Sequence, residues 1–160
     1  AFPLPIEIGG GDAAEFEMGG GGLWSSALDY TRFLRMILND GTLDGARILS
    51  PDSIALMRDN QIGNIKAGKM DSAQPTLSAP FELFPNMHCG WSYGFLINPE
   101  TGPAGRSPGS LAWAGIANTH YWIDAATDTI GVFMAQMLPF GEAPTMSAFT
   151  AFEAMAYQGA

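Results

Sequence analysis

The chain has 160 residues, which is enough for one domain with a hydrophobic core, and no apolar run approaches the roughly 20 residues that a membrane-spanning helix needs. Its 16 acidic residues outnumber its 7 basic residues, and the net charge of −9 argues against binding to nucleic acid or to an anionic membrane surface. Only 14% of the residues are charged, so we expect part of the surface to be covered.

The first predicted helix follows residues 1–22, an irregular segment rich in glycine and proline. Ser26 is the predicted N-cap, and Asp29 stands at the capping-box position where glutamate is more usual. Residues 39–41, Asn-Asp-Gly, predict the end of the helix. One apolar stripe lies between these signals at helical spacing, and it consists of Tyr30, Phe33, Leu34, Ile37 and Leu38.

A second, shorter helix is predicted to begin at Pro51, with Ser50 as its N-cap, and to end near Asn60. Residues 61–88 follow with weak periodicity and many small residues, which predicts a long loop. A loop of that length inside a domain usually has a function or is disordered. The apolar contacts of the second helix are expected from Ile54, Leu56 and Met57.

Four strands are predicted next, at residues 91–97, 110–115, 119–124 and 129–138. The short connections between them predict antiparallel neighbours. Helices on either side of such a meander indicate an α+β fold, with helices packed on an antiparallel sheet and with residues 1–160 as a single segment. A final helix follows Pro144, and its stripe includes Met146, Phe149, Phe152, Glu153 and Ala156.

The sequence GWSYG at residues 90–94 fits the G-x-S-x-G pattern of the nucleophile elbow, with Ser92 as its serine. That elbow requires a helix after the turn, whereas a strand-like run, FLINP, follows here. The usual order of serine, acid and histidine would leave only Glu100 between Ser92 and His120. The favoured interpretation is therefore a glycine-bearing strand that contains Ser92, and a self-contained α/β-hydrolase-type esterase that uses Ser92 remains an alternative.

Other reactive side chains have ordinary explanations. His88 and Cys89 are adjacent, so their side chains do not converge easily on a metal ion, and Cys89 is the only cysteine. His120 lies in a predicted strand, where a hydrogen-bonded sheet histidine is favoured over a general base. The four glycines at residues 19–22 lack the preceding strand and the following Lys-Ser/Thr of a phosphate loop. We predict no metal site and no cofactor.

No residue of the chain has the surroundings of a serine nucleophile. Ser25 and Ser26 stand where a helix cap is expected, and a catalytic serine needs a base within reach, commonly Lys or His. The only lysines are Lys66 and Lys69, both in the predicted loop. No serine has Lys three residues later, and no tyrosine has Asn two residues later.

The run GGGGLWSSALDYTRFLRMILNDGTLDGARILSPDSIALM nevertheless resembles the C-terminal half of the serine β-lactamase-related hydrolases. The similarity points to the β-lactamase-like carboxylesterases of family VIII. Members of that group typically have Gly-Gly-Gly-Leu, a Ser-Asp-Tyr-type helix, Asn-Gly-Gly and then Leu-Ser-Pro before a short helix. GWSYGF resembles the Gly-rich strand of the family, which accounts for the elbow-like pattern. The resemblance covers residues 19–157 and implies the C-terminal portion of a β-lactamase/transpeptidase-like fold.

The run AWAGIANTHYWIDAATDTIGVFMAQ resembles the strand that carries the family's third motif and the strands that follow it. That motif is Lys-Thr-Gly in β-lactamases and commonly Trp-x-Gly or His-x-Gly in the esterase branch; here it would be Trp113, Ala114 and Gly115, which would bind substrate. The resemblance makes the backbone N–H of Ile116 one of two oxyanion donors. An aromatic wall at Trp113 would favour neutral esters. The alternative is a buried strand whose small residues allow close packing.

The nucleophile of the family lies in Ser-x-x-Lys and its second catalytic group in Tyr-x-Asn, and neither motif occurs in these 160 residues. We therefore expect the C-terminal segment of a serine hydrolase that is inactive as this chain alone. Its partners would be an N-terminal fragment that carries both motifs and a small ester or amide substrate. A non-catalytic binding domain that uses Trp91, Trp113 and Trp122 is a further alternative.

Overall fold

A computed structural model describes residues 23–158, so the predicted irregular segment and the glycine run at residues 19–22 lie outside the described residues. None of the helices in the described range has the length and apolar character to cross a membrane. The elements follow in the order α1 (Ala27–Leu38), β1 (Thr42–Leu43), β2 (Ala46–Arg47), α2 (Pro51–Arg58), β3 (Gly90–Trp91), β4 (Leu96–Ile97), β5 (Leu111–Gly115), β6 (Thr119–Asp124), β7 (Thr129–Phe133) and α3 (Ala143–Tyr157).

Strands β3 to β7 form one five-stranded antiparallel sheet in which the spatial order equals the chain order. Because side chains alternate along a strand, neighbouring residues of β5 face opposite sides of the sheet. Leu111 packs in a core cluster with Leu34 of α1, whereas Ala112 packs in a second cluster with Phe149 of α3. The sheet thus lies between α1 and α3, which confirms the predicted α+β fold. A small β1–β2 hairpin was not predicted.

The N-caps of the first two helices are those that the sequence predicts. Ser26 Oγ accepts a hydrogen bond from the Asp29 N–H at 3.2 Å and donates one to the Asp29 carboxylate at 2.8 Å. Ser50 Oγ accepts from the Ser53 N–H at 3.1 Å, and α2 begins at Pro51. The first helix ends at Leu38, as the Asn-Asp-Gly sequence indicates, and α2 ends at Arg58, two residues before the predicted end near Asn60. Leu56 was expected in the core but is half exposed, because α2 turns a different face, that of Ile54, towards the core.

Residues 61–88 form no helix or strand, as predicted, but they pack closely on the sheet. The Ala67 N–H donates to the Cys89 carbonyl at 2.9 Å, and Met70 and Phe81 exchange two backbone hydrogen bonds. Phe84 is buried in a cluster with Cys89. The long loop is therefore an ordered, packed part of the domain that covers one side of β3 and β4.

The predicted strand at residues 91–97 is instead a tight hairpin, in which Trp91 of β3 pairs with Leu96 of β4. Ser92 lies in the turn of this hairpin, so the prediction that Ser92 belongs to a strand was wrong. Its N–H does donate to the Phe95 carbonyl, at 2.9 Å. The apolar alternation failed as a guide because both arms of a short hairpin can present apolar residues to the same core.

The fourth strand ends at Phe133, five residues earlier than predicted. The chain leaves the sheet there because its backbone finds other partners. The Met137 N–H donates to the Ala117 carbonyl at 3.2 Å, in the turn between β5 and β6. This exit brings residues 137–141 beside the segment that the sequence predicts as the substrate edge.

Candidate functional site

Strand β5 has one edge that is only half covered. Along its whole length, from Leu111 to Gly115, it pairs with β6. On the other side β4 pairs only with Leu111 and Ala112. Within residues 23–158, no strand pairs with that second edge at Trp113, Ala114 and Gly115. The predicted third motif thus lies on a strand edge whose backbone pairs with no strand in the described part of the chain.

Ile116 is the first residue of the turn that joins β5 to β6, and 50% of its surface is exposed. The Asn118 N–H closes this turn on the Gly115 carbonyl at 2.9 Å. The Ile116 N–H itself donates to no acceptor within residues 23–158. A backbone N–H that has no acceptor in the described residues is available to bind a developing oxyanion, and the role of Ile116 stays a prediction.

Trp113 is partly buried and forms one wall beside this edge. Its ring meets that of Trp91 edge-on, with 4.4 Å between ring centroids and 88° between planes. It also packs against the cluster of Phe84, Cys89 and Leu96. Trp113 is therefore packed in a cluster and also partly exposed. The packing fits a buried strand, and the exposed part fits a wall beside the substrate.

Asn118 anchors the turn from inside the protein. It is completely buried, and its backbone has a left-handed φ of 61°. Its side-chain amide nitrogen donates to the carbonyls of Met137 and Pro139, both at 3.0 Å. Its Oδ1 accepts from the Gly141 N–H at 2.8 Å. Asn118 was not predicted as a functional residue, although asparagine in a short turn is a known signal for a left-handed conformation.

His120 faces away from solvent and is surrounded by aromatic rings. It is 2% exposed, and its ring stacks on that of Phe149 with 4.4 Å between centroids. Its Nε2 is buried without a hydrogen-bond partner, so the expected hydrogen bond is absent at this atom. Burial lowers the pKa of His120 to about 4, and the positive charge of Arg106 acts in the same direction. His120 is a neutral core residue and is not placed to act as a general base.

Ser92 does not form a nucleophile elbow. The residue is buried, its Oγ accepts from the Phe95 N–H at 3.2 Å, and a strand follows where the elbow needs a helix. His88 Nε2 lies 3.1 Å from the Asn64 carbonyl, and burial raises the pKa of the Cys89 thiol. In the part of the chain that the structure describes, no group of three His, Cys, Asp or Glu side chains could hold a metal ion.

The three tryptophans of the binding-domain alternative do not form a common surface. Trp122 is completely buried, and its indole N–H donates to the Tyr157 hydroxyl at 3.0 Å. Its ring covers Gly131 so closely that a Cβ at that position would overlap it. The burial arises because β6 is an interior strand of the sheet and Trp122 lies on the face that packs against Phe149 of α3. A binding surface formed by Trp91, Trp113 and Trp122 together is therefore not present.

A buried ion pair that the sequence analysis did not predict joins α3 to the loop before β5. Arg106 is fully buried, and its Nε and Nη2 donate to the two carboxylate oxygens of Glu153 at 2.9 and 2.8 Å. The guanidinium also lies over the rings of Trp122 and Phe84, at 5.2 and 5.4 Å from their centroids. The only sequence signal was Glu153 within an apolar helical stripe.

The chain matches one protein family and is similar to several individual proteins. The family described as Beta-lactamase matches residues 3–154. Protein Rv1367c of Mycobacterium tuberculosis is 36% identical over 127 residues, which cover 75% of this chain and 29% of that protein. Acyltransferase calJ of Penicillium decumbens is 29% identical over 136 residues, which cover 81% of this chain and 31% of that protein.

Among solved structures, the unliganded Simvastatin Synthase LovD from Aspergillus terreus is similar in fold, with a TM-score of 0.68 and 19% identity. The match covers 92% of this chain and 37% of LovD. The chain therefore spans less than a third of the length of the curated relatives that it matches.

Proposed function

This chain belongs to the Beta-lactamase family, and from that premise we propose that it is the C-terminal part of a serine hydrolase or acyltransferase that works through an acyl-serine. The family and the fold that the sequence predicts are confirmed, and the fold is the C-terminal portion of a serine β-lactamase-like fold. The reaction and the residues assigned to it are part of the proposal.

One observation carries it: the open edge of β5 ends in a backbone N–H, that of Ile116, which has no acceptor within residues 23–158. A carbonyl substrate laid along Trp113 to Gly115 would bring its oxygen to this N–H. Negative charge develops on that oxygen when the carbonyl carbon is attacked, and a fixed donor stabilises it. Removal of one such donor typically lowers the rate by about 10²–10³-fold.

In the first step a serine oxygen bonds to the acyl carbon, and the bond from that carbon to the alcohol oxygen breaks. The proton of the serine passes through a base to the departing alcohol. Water or a second alcohol then attacks the acyl carbon, and the bond from that carbon to the serine oxygen breaks. The proton of the attacking hydroxyl passes through the base to the serine. The serine and the base belong to polypeptide outside this chain, because no serine here has a suitable base. The name of the similar acyltransferase supports transfer of the acyl group to an acceptor other than water.

The polypeptide that supplies these groups also explains the surface of α3. Glu153 is the only charged residue of this 15-residue helix, and it is buried. Outward positions spaced by four residues are uncharged, and they are Ala143, Ser147, Ala151 and Met155. Such a face is usually covered by protein. The proposed partner is the remaining two thirds of an enzyme of the length found in the relatives.

A chimera tests the proposal. Residues 23–158 of this chain replace the matching segment of the Mycobacterium relative, and hydrolysis of p-nitrophenyl butyrate is compared with that of the chain alone and of the unaltered relative. We expect the chimera to hydrolyse the ester and to be labelled by a fluorophosphonate at a serine outside the grafted segment. The chain alone should do neither. Turnover by the chain alone that is abolished by Ser92→Ala would refute the proposal.

Two variants of the chimera then test the oxyanion role. Ile116→Pro deletes the N–H, whereas Ile116→Val keeps it and changes only the side chain. We expect kcat to fall by about 10²–10³-fold in the first variant and to change little in the second. The thermal midpoint of each variant shows whether the fold survives. Equal, small effects in two folded variants would remove Ile116 from the mechanism.

A further inference from the structure

We infer that Asn118 is a positioning residue, which fixes the turn between β5 and β6 so that the Ile116 N–H has one direction before substrate arrives. The inference rests on the proposed function of Ile116. Asn118 does not reach the substrate edge itself. It acts through three side-chain hydrogen bonds and one backbone hydrogen bond that surround Ile116.

The side chain of Asn118 uses its whole amide nitrogen and one acceptor site of its oxygen. Both hydrogens of Nδ2 go to main-chain carbonyls, those of Met137 and Pro139, at 3.0 Å each, and Oδ1 accepts from the Gly141 N–H at 2.8 Å. The two carbonyls need a donor and the N–H needs an acceptor, so only one orientation of the amide satisfies all three. A completely buried amide with this many partners has little freedom to move.

The backbone of the turn is held on both sides of Ile116. Before it, the Gly115 carbonyl accepts from the Asn118 N–H at 2.9 Å. After it, the Ala117 carbonyl accepts from the Met137 N–H at 3.2 Å. Ile116 thus lies between two anchored residues, while its own N–H stays free of any acceptor within residues 23–158.

The anchor is itself fixed to the long loop, residues 61–88. The Phe140 N–H donates to the Leu77 carbonyl at 2.8 Å, and the Ala79 N–H donates to the Phe140 carbonyl at 2.7 Å. The ring of Phe140 lies 4.7 Å from that of Phe81, measured between centroids. The turn is therefore bonded to a packed region and not to a free segment, which is the condition for a donor that needs no reorganisation during the reaction.

The left-handed φ of 61° at Asn118 offers a clean variant. Asn118→Gly keeps this backbone conformation without strain and removes the three side-chain hydrogen bonds. Asp128, with a φ of 53°, provides the matched control in the turn at the other end of β6. Its side chain is exposed and makes no hydrogen bond within residues 23–158, so Asp128→Gly changes a left-handed turn without removing an anchor.

The first measurement needs no activity. In the ¹⁵N-labelled chain, the backbone order parameter of Ile116 should be near 0.85, the value typical of rigid backbone, and should fall below about 0.6 in Asn118→Gly. Asp128→Gly should leave it unchanged. An Ile116 amide that stays as rigid in Asn118→Gly would overturn the inference. So would loss of the whole fold in that variant, because Asn118 would then hold the domain and not the turn.

The second measurement uses the active chimera. Asn118→Gly should lower kcat by about 10²-fold, the effect of a misplacement near 1 Å, with KM changed less than about twofold. Asp128→Gly should leave both constants unchanged. Equal loss in the two variants, or a change confined to KM, would overturn the inference. If the chimera has no activity, the proposed function fails, whereas the order parameters still decide whether Asn118 fixes the turn.

Discussion

Gly115 serves the fold and the proposed substrate edge at the same time. A Cβ at this position would lie 2.5 Å from Oγ1 of Thr119, across the turn between β5 and β6. Glycine is therefore needed for close packing within the sheet. The missing side chain also leaves the open edge of β5 uncovered. The steric role gives a prediction for stability that needs no substrate.

Gly115→Ala should lower the free energy of unfolding by about 1–3 kcal/mol, because the stiff Thr119 side chain must move away from the new methyl group. Adding Thr119→Ala removes the contacted oxygen and should recover most of that loss. Urea denaturation of the wild-type chain, both single variants and the double variant measures the coupling. Full additivity of the two changes would show that the clash does not exist.

His120 predicts how the chain responds to acid. Burial lowers its pKa from an ordinary value of 6.5 to about 4, so the unfolded chain binds a proton at higher pH than the folded chain does. The stabilising contribution is complete above pH 6.5 and is lost as the pH falls from there to about 4. The loss amounts to about 3 kcal/mol for a shift of this size. His120→Phe, which keeps an aromatic ring, should flatten the pH dependence in that window.

His88→Gln is the control for this prediction, because it removes the other histidine and leaves the aromatic cluster intact. Asp124 acts at lower pH than His120. Burial alone would raise its pKa, but hydrogen bonds from Ser107 and Tyr157 outweigh this and hold the pKa below its ordinary value. Its contribution is lost only as the pH falls through that lowered pKa. An unchanged slope between pH 4 and 6.5 in His120→Phe would contradict the assignment.

Among the elements, the three helices and the β5 to β7 meander could be predicted because their signals are local. Ser26 and Ser50 cap helices through bonds to residues three positions ahead, which the sequence shows directly. The hairpin of β3 and β4 could not be predicted, since its turn at Ser92 lies inside an unbroken alternation of apolar residues. The end of β7 depends on a bond to Ala117, a distant residue that no local pattern reveals.

The ion pair of Arg106 and Glu153 ties α3 to the sheet and gives a prediction for that element. Glu153→Gln keeps the shape of the side chain but leaves the buried guanidinium without its counter-charge. We expect a loss of about 3–5 kcal/mol in the free energy of unfolding. The double variant Arg106→Met with Glu153→Leu should lose much less, because no charge remains buried.

Thermal and urea unfolding of these variants measure the effect. The exposed pair of Lys69 and Asp71, with 2.6 Å between Nζ and Oδ1, is the control, and Asp71→Asn should leave the midpoint unchanged. If Glu153→Gln proves no more harmful than Asp71→Asn, the pair does not hold α3 in place.

For the molecule as a whole, the sequence indicated the family and the fold but not the arrangement of the site. The prediction that Trp113, Ala114 and Gly115 form the third motif rests on the resemblance to the family, since the residues alone fit a closely packed strand equally well. Two features of the site depend on tertiary structure. Strand β4 ends before it reaches these residues, and Asn118 fixes the turn that follows them. They depend on hydrogen bonds between residues about 20 positions apart, such as the pair Asn118 and Met137.

The uncharged outer face of α3 gives the prediction that concerns the complete enzyme. If this face is covered by the rest of the polypeptide, a charge placed there must be buried on assembly and will oppose it. If it is free, a charge there is harmless, as at other exposed helix positions. Ala151 of α3 and Ala55 of α2 are both exposed, so Ala→Lys at the two sites forms a matched pair.

In the chain alone, Ala151→Lys and Ala55→Lys should each leave the free energy of unfolding within about 0.5 kcal/mol of the wild-type value, since both positions face water. In the chimera, Ala151→Lys should lower the yield of soluble, active enzyme and its thermal midpoint, because the ammonium group is forced into an apolar contact. Ala55→Lys should change neither. The difference between the two contexts is the decisive quantity, since it separates assembly from the intrinsic stability of α3. A chimera that keeps its yield, midpoint and kcat with Lys at position 151 would show that the partner polypeptide leaves this face open.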